Sequence, residues 1–218
     1  MAMYSLDQLV GWVNNAGPRV TSVGNQLQNT RSRIAQLYRN LESLELNLQR
    51  LRSMEASLQS QISSLASQAG SSDEEDDSAA QEIENQISQL QARLAEVEST
   101  IAQTETAIAA AEAELQQRQQ EEQVHCAKLR EMDGALEEID THLTDNLRER
   151  VAAKEKFTRL SQMRFGGADA TASMQQIQTT INACMGAQSR LRNMRNWISE
   201  LLGDEHDEPQ KVLTKRIR

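Results

Sequence analysis

From Val20 to Leu65 the apolar residues recur at alternating intervals of three and four: Val20, Val23, Leu27, Ile34, Leu37, Leu41, Leu44, Leu48, Leu51, Leu58, Ile62 and Leu65. Within that rhythm only Thr30 and Glu55 occupy seam positions without being apolar. A seven-residue repeat sustained this long predicts a helix whose one narrow stripe pairs with another helix, as in a coiled coil. The rule returns through Ile83, Ile87, Leu90, Leu94, Val97, Ile101, Ile108, Ala111 and Leu115, and again at Leu129, Met132, Leu136, Ile139 and Leu143. Between those two runs Arg118 and Glu122 stand on the seam, so packing is expected to loosen there. Beyond Leu143 the spacing becomes four and four through Leu147 and Val151, a stutter that locally unwinds a supercoil. Phe157, Leu160 and Met163 continue the apolar face to Phe165, and a last stripe runs through Met174, Ile177, Ile181, Cys184, Leu191, Met194, Ile198 and Leu201.

Cap and breaker residues divide these stripes. Ser5-Leu6-Asp7-Gln8 has the spacing of a capping box and predicts a first short helix with Leu6, Leu9, Val10 and Val13 on one face. Gly17 is expected to end it and Pro18 to open the next at its first position. The run from Gly70 to Ser78 contains five consecutive acids, Asp73 to Asp77, and reads as a solvated hairpin tip after which Ser78 restarts a helix. Gly166-Gly167 ends the third helix and Asp169 caps the last. The expected organisation is therefore a short docking helix over 1–17, an upper antiparallel coiled-coil arm over 18–130 with its acidic tip at 70–78, a lower helical hairpin over 131–203, and a flexible tail over 204–218.

Short turns make consecutive helices antiparallel neighbours. A turn centred near residue 74 places position n beside about 148 minus n, and charge agrees. Between residues 18 and 69 six Arg stand against three Glu, whereas residues 79–128 hold nine Glu against Arg93, Arg118 and Lys128. The register sets Arg33 opposite Glu114 and Arg52 opposite Glu98, although Glu45 falls opposite Glu105. Exposed ion pairs stabilise little; their use is in choosing register. The same arithmetic brings Gly17-Pro18 level with Asp133-Gly134 and predicts a junction there between the two arms. Trp12 is then placed beside Leu136 and, with a second turn near residue 168, Trp197 beside Ile139. The two tryptophans are expected to share one small three-helix core with Leu9, Val13, Leu136, Ile139, Ile198 and Leu201. The fold expected is all-α, with elongated antiparallel coiled-coil hairpins and this junction; the third helix alone would span roughly 130 Å if unbroken.

Composition narrows the function. The 218 residues include 3% aromatics, two Pro and nine Gly, too few strand and loop formers for most sheet folds. At 38% apolar the chain falls below the roughly 45–50% of ordinary globular domains, which suits thin paired helices more than a wide core. A formal charge of -9 argues against phosphate neutralisation, so no nucleic-acid partner is expected. No window approaches the ~18 apolar residues of a membrane helix, and the start lacks a basic leader followed by a long apolar stretch. Cys126 and Cys184 have no metal-ligand spacing and are expected as reduced thiols, with the cytoplasm as compartment.

Candidate chemistry is sparse. The many carboxylates lie on helix faces that solvent reaches, where nothing raises a pKa for acid or base work. His125-Cys126 is suggestive as a dipeptide, yet neighbours on a helix point about 100° apart, so the expectation is a seam His in a polar layer beside a partly buried Cys. His142 and His206 have no ligand partners at useful spacing, and Gly166-Gly167 lacks the Lys and the preceding strand of a phosphate loop. No catalytic residue, cofactor or metal is therefore expected. Lys211, Lys215, Arg216 and Arg218 are a basic cluster behind Asp204, Glu205, Asp207 and Glu208, read as a zwitterionic tail. The small residues of Ala107 to Ala113 are expected to accommodate Tyr38 across the pair.

Tyr38-Arg39-Asn40-Leu41-Glu42 resembles the tyrosine and acid spacing of type VII secretion substrates, which are helical hairpins without cleaved leaders. That pattern ordinarily follows a Trp-x-Gly turn, and here Gly11-Trp12 stands in the opposite order, so the family is not assigned. The expected function is a non-enzymatic structural, adaptor or assembly protein that acts through helix contacts, self-associating or joining partner helices. Its carriers are the junction residues Trp12, Trp197, Leu136, Ile139 and Ile198 and the seam residues Leu37, Leu41, Leu44, Leu48, Leu51, Leu90, Leu94, Val97 and Ile101. The alternative is a substrate or targeting partner of a leaderless, type VII-like export system.

Overall fold

The structure is a computed structural model that describes residues 4–69, 77–162 and 168–203. Among them only Tyr4 and Ser5 lie outside helices, and the chain forms α1 (Leu6–Ala69), α2 (Asp77–Gln162) and α3 (Ala168–Gly203). Most of the expected acidic tip, the Gly166-Gly167 stop and the 204–218 tail lie outside the described residues.

The capping box is present at the start of α1. The Ser5 amide donates to Gln8 Oε1 at 2.9 Å and the Gln8 amide donates to Ser5 Oγ at 3.3 Å, so two otherwise unpaired N–H groups are satisfied reciprocally. The expected break at Gly17-Pro18 is absent: α1 runs from Leu6 through Pro18 to Ala69 as one helix, and α2 continues through Asp133-Gly134. Pro18 removes one helical N–H, but Pro18 and Asn14, whose carbonyl loses that bond, are both exposed, so water can replace it. On the inner side Leu9, Val13, Val20 and Leu27 stay on one buried stripe, and this packing outweighs the local breaker signal. The segment 1–17 is consequently not a separate helix; Leu6 to Gly17 form the first turns of α1.

Two compact units result: one comprises residues 1–29 and 121–218, the other residues 30–120. In the 30–120 unit two helices pair. Arg33 Nε and Nη2 donate to the Glu114 carboxylate at 2.9 and 3.0 Å, the pair named by the charge register. Arg52, however, reaches Glu105 at 2.9 Å in place of Glu98, two helical turns away. The Gln119 side-chain amide donates to the Tyr38 hydroxyl at 3.1 Å. From Arg33–Glu114 to Arg52–Glu105 the numbers rise along α1 as they fall along α2, so the two helices are antiparallel in this unit. Ile34, Leu37, Leu41 and Ala111 form its buried seam together with Thr30 and Thr104. Thr104 is a seam residue that the apolar rhythm passes over; its hydroxyl donates to the Thr100 carbonyl at 2.8 Å, which satisfies it without a partner across the pair.

In the other unit all three helices contribute. Their core is Leu9, Val13, Val20 and Leu27 of α1, Cys126, Leu129, Leu136 and Leu143 of α2, and Ala187, Leu191, Ile198 and Leu201 of α3. Lys154 donates to Gln178 at 2.6 Å, Gln188 to Thr144 at 2.8 Å and Arg195 to Asp133 at 2.8 Å, so α3 runs antiparallel to α2. Met194 lies over Gly17, while Trp197 and Leu201 lie over Gly24, so α3 is parallel to α1. The stutter region contributes less than its spacing suggests, because Val151 and Leu160 are exposed.

Candidate functional site

In the three-helix unit α1 and α2 present two grooves, one on either side of their shared core stripe. α3 fills one. Its fit depends on glycine: a Cβ at Gly24 would fall on the Trp197 indole and on a Leu201 methyl, and one at Gly17 would lie 3.8 Å from Met194 Sδ. Charge matches as well. Arg195 donates to Asp133 at 2.8 Å and to Glu137 at 3.3 Å, two acids one turn apart on the α2 face towards α3. The Asp133 hydrogen bond raises the Arg195 pKa and holds the guanidinium charged. Gln188, nearly fully buried, is satisfied by Thr144 and by Asp140 at 3.4 Å.

The other groove is open. A cavity of about 600 Å³ lies between Trp12, Ala16 and Val20 of α1 and Met132, Ala135, Leu136 and Ile139 of α2, with Arg19, Lys128 and Glu131 on its rim. A second hollow of about 460 Å³ continues it past Val23 and Gln26. The α2 residues that line it, Lys128, Met132, Ala135 and Ile139, alternate around the helix with the acids that face α3. Ala16 and Ala135 keep the floor low, and Trp12 stands 40% exposed at one end, its ring edge-on to Tyr4 with centroids 4.9 Å apart. Tyr4 in turn sits edge-on to His142 at 5.2 Å.

The expected junction residues therefore divide. Leu136 and Ile198 are buried in one core, and Ile139 and Trp197 pack against it from half-buried positions. Trp12 borders the open groove beside Leu136 and Ile139, while the Trp197 ring reaches Gly24, twelve residues further along α1. Twelve residues are ~18 Å of helix, so the tryptophans do not share one pocket. Of the expected seam residues, Leu37 and Leu41 are buried, while Leu44, Leu48, Leu51, Leu90, Leu94, Val97 and Ile101 are half-buried. Leu46, Val124 and Met185 stand off the stripes and are more than half exposed. Sequence reasoning missed Gly24 as the seat of Trp197. The signal available was the seven-residue spacing of Gly17 and Gly24 beside an apolar stripe, which marks close helix approach as readily as it marks a break.

Cys126 and Cys184 are buried thiols outside any disulfide, and burial pushes the Cys184 thiol up, with Arg150 opposing. His125 is half-buried with Nδ1 unpaired, beside Cys126 in the core. Among the described residues no three of His, Cys, Asp and Glu come together as metal ligands, and no helix is long and apolar enough to cross a membrane. A further cleft of about 920 Å³ beside the start of α1 is lined by Asp7, His142, Asp145, Glu149 and Arg150, among others. No protein-family model matches the chain, and comparisons with curated proteins and with solved structures return no match.

Proposed function

We propose that this protein is a non-enzymatic adaptor or assembly subunit, built from antiparallel coiled-coil helices and acting through helix contacts with other chains. The observation that carries the reading is the half-buried seam of the 30–120 unit. Leu44, Leu48, Leu51 and Leu58 of α1 and Leu90, Leu94, Val97 and Ile101 of α2 are all half-buried, where two described helices pair. A further helix laid along that seam would remove more apolar surface from water, at about 25 cal/mol per Å². The exposed Leu46 and Met54 add to what an added helix could cover. The titratable groups in the cleft beside α1 are spread over helix faces, an arrangement suited to solvation more than to proton transfer.

Tyr38 lies inside α1 with its hydroxyl bonded to Gln119, so the tyrosine of the export-like pattern has a local structural use. The export reading receives no structural support of its own. Sedimentation equilibrium of the full chain at tens of micromolar tests the assembly reading. A particle at least twice the 24.4 kDa chain mass is expected, with dissociation favoured in Leu46→Glu. A monomer throughout that range would remove self-assembly from the reading.

A further inference from the structure

We propose that the open groove between α1 and α2 in the three-helix unit is a docking site for an acidic amphipathic helix of another protein, with Trp12 as its anchor. The groove is the counterpart of the one α3 occupies. Both grooves have small residues at the floor, Gly17 and Gly24 under α3 and Ala16 and Ala135 in the open one, and both border the same Leu136-centred core. From Trp12 to Gln26 the open groove runs ~21 Å, about four helical turns. Trp12 is held edge-on by Tyr4, so an aromatic side chain of the type that dominates binding hot spots is fixed in place before any partner arrives.

Charge selects the occupant. Arg19 and Lys128 flank the groove and make no ion pair among the described residues; one acid, Glu131, stands with them. In a chain of net charge -9 this is a locally cationic rim, and it differs in sign from the α2 face that holds Arg195 through Asp133 and Glu137. A helix with Glu or Asp beside its apolar stripe would meet both unpaired cations. A second copy of this chain fits poorly. No described helix carries two exposed large apolar side chains three, four or seven residues apart, and the outer face of α3 would bring Arg190 and Arg192 towards Arg19 and Lys128. The assignment rests on the helix-contact reading above, but it does not require self-association.

The test uses the full chain and two synthetic helical peptides of about 20 residues with an identical Leu stripe, one flanked by Glu and one by Lys, followed by fluorescence anisotropy. The Glu-flanked peptide is expected to bind at least about fivefold more tightly, a ratio within reach of two rim charges. Arg19→Glu with Lys128→Glu, both at exposed positions, is expected to invert the preference, and Trp12→Ala to weaken binding about tenfold. The proposal is overturned if neither peptide binds at ~1 mM, if both bind alike and the double variant changes nothing, or if Trp12→Ala splits a homodimer, which would give the groove to a second copy. Sedimentation is read separately: a monomer that selects the acidic peptide removes only self-assembly, and an oligomer that binds neither peptide removes only this site.

Discussion

Leucines on the same seven-residue rhythm reach different depths in the two units. In the three-helix unit Leu9, Leu27, Leu129, Leu143 and Leu191 are fully buried. In the 30–120 unit Leu41 matches them, but no residue among 42–69 or 80–103 is buried. The residue types and spacing are alike; the number of neighbouring helices is not. A seam between two helices leaves both flanks of each side chain open to water, and a third helix closes one of them. The depth of burial is thus a property of how many stripes converge, which no single stripe encodes.

The strongest way to break this comparison is to truncate one leucine in each unit. Leu129→Ala should cost ~3–4 kcal/mol, the range for a filled core site that relaxes little, whereas Leu51→Ala should cost ~1–2 kcal/mol because part of its surface is already wet. Urea unfolding at low protein concentration measures both. Equal costs would mean that the Leu51 seam is covered in solution by another helix, and the two-helix description of that unit would fail.

Next in size is Gly24→Ala. Alanine ordinarily stabilises a helix by up to ~1 kcal/mol over glycine, but here the new methyl displaces Trp197 and Leu201, an overpacking that costs ~1–3 kcal/mol. A methyl added at Gly11 or Gly134 would meet nothing within 4 Å, so Gly11→Ala and Gly134→Ala should raise stability by ~0.5–1 kcal/mol. If Gly24→Ala behaves like these two, α3 does not seat its indole on α1.

These glycines also mark the limit of what the chain made legible. The all-helical class, the Ser5-Gln8 cap, the Arg33 to Glu114 pairing and most of the core stripe follow from spacing alone, because one helical period and one charge register determine them. Gly17-Pro18 misled, since a local breaker is weighed against core packing that only the tertiary structure supplies. Arg52 misled for a different reason: long Arg and Glu side chains span a turn or more, so a charge pattern fixes register only to within their reach. The open groove was illegible as a site, because Ala16, Arg19, Lys128 and Ala135 are ordinary helix-surface residues until two helices bring them to one rim.

A smaller effect separates the tryptophans. Trp197 packs on the core and over Gly24, so Trp197→Ala should cost ~3 kcal/mol or more, as large core truncations do. Trp12 is 40% exposed and outside the core cluster, so Trp12→Ala should cost only ~1 kcal/mol and leave the thermal transition nearly in place. The expectation of one small core shared by both tryptophans is thereby replaced by an asymmetry. Emission spectra of the two single-Trp variants check it: Trp12 should emit nearer the water-exposed wavelength. Matching spectra would restore the shared pocket.

The smallest expected effect lies in the 30–120 unit and depends on pH. The Arg33 hydrogen bond holds the Glu114 carboxyl below the usual carboxylate range; burial opposes it, and the charges of Arg33 and Arg118 add smaller lowering effects. A group with a depressed folded pKa contributes stability above its unfolded value, about pH 4.3, and that contribution is lost as pH falls through the folded value. Glu114→Gln should therefore lower the unfolding midpoint slightly at pH 7, and the difference should fade as pH falls through the folded value. Both side chains are largely solvated, so the shift at pH 7 should shrink further in 1 M salt. A difference that persists at pH 2 would show that Glu114 acts through packing of its stem, and the ion pair would then have no part in holding the two helices in register.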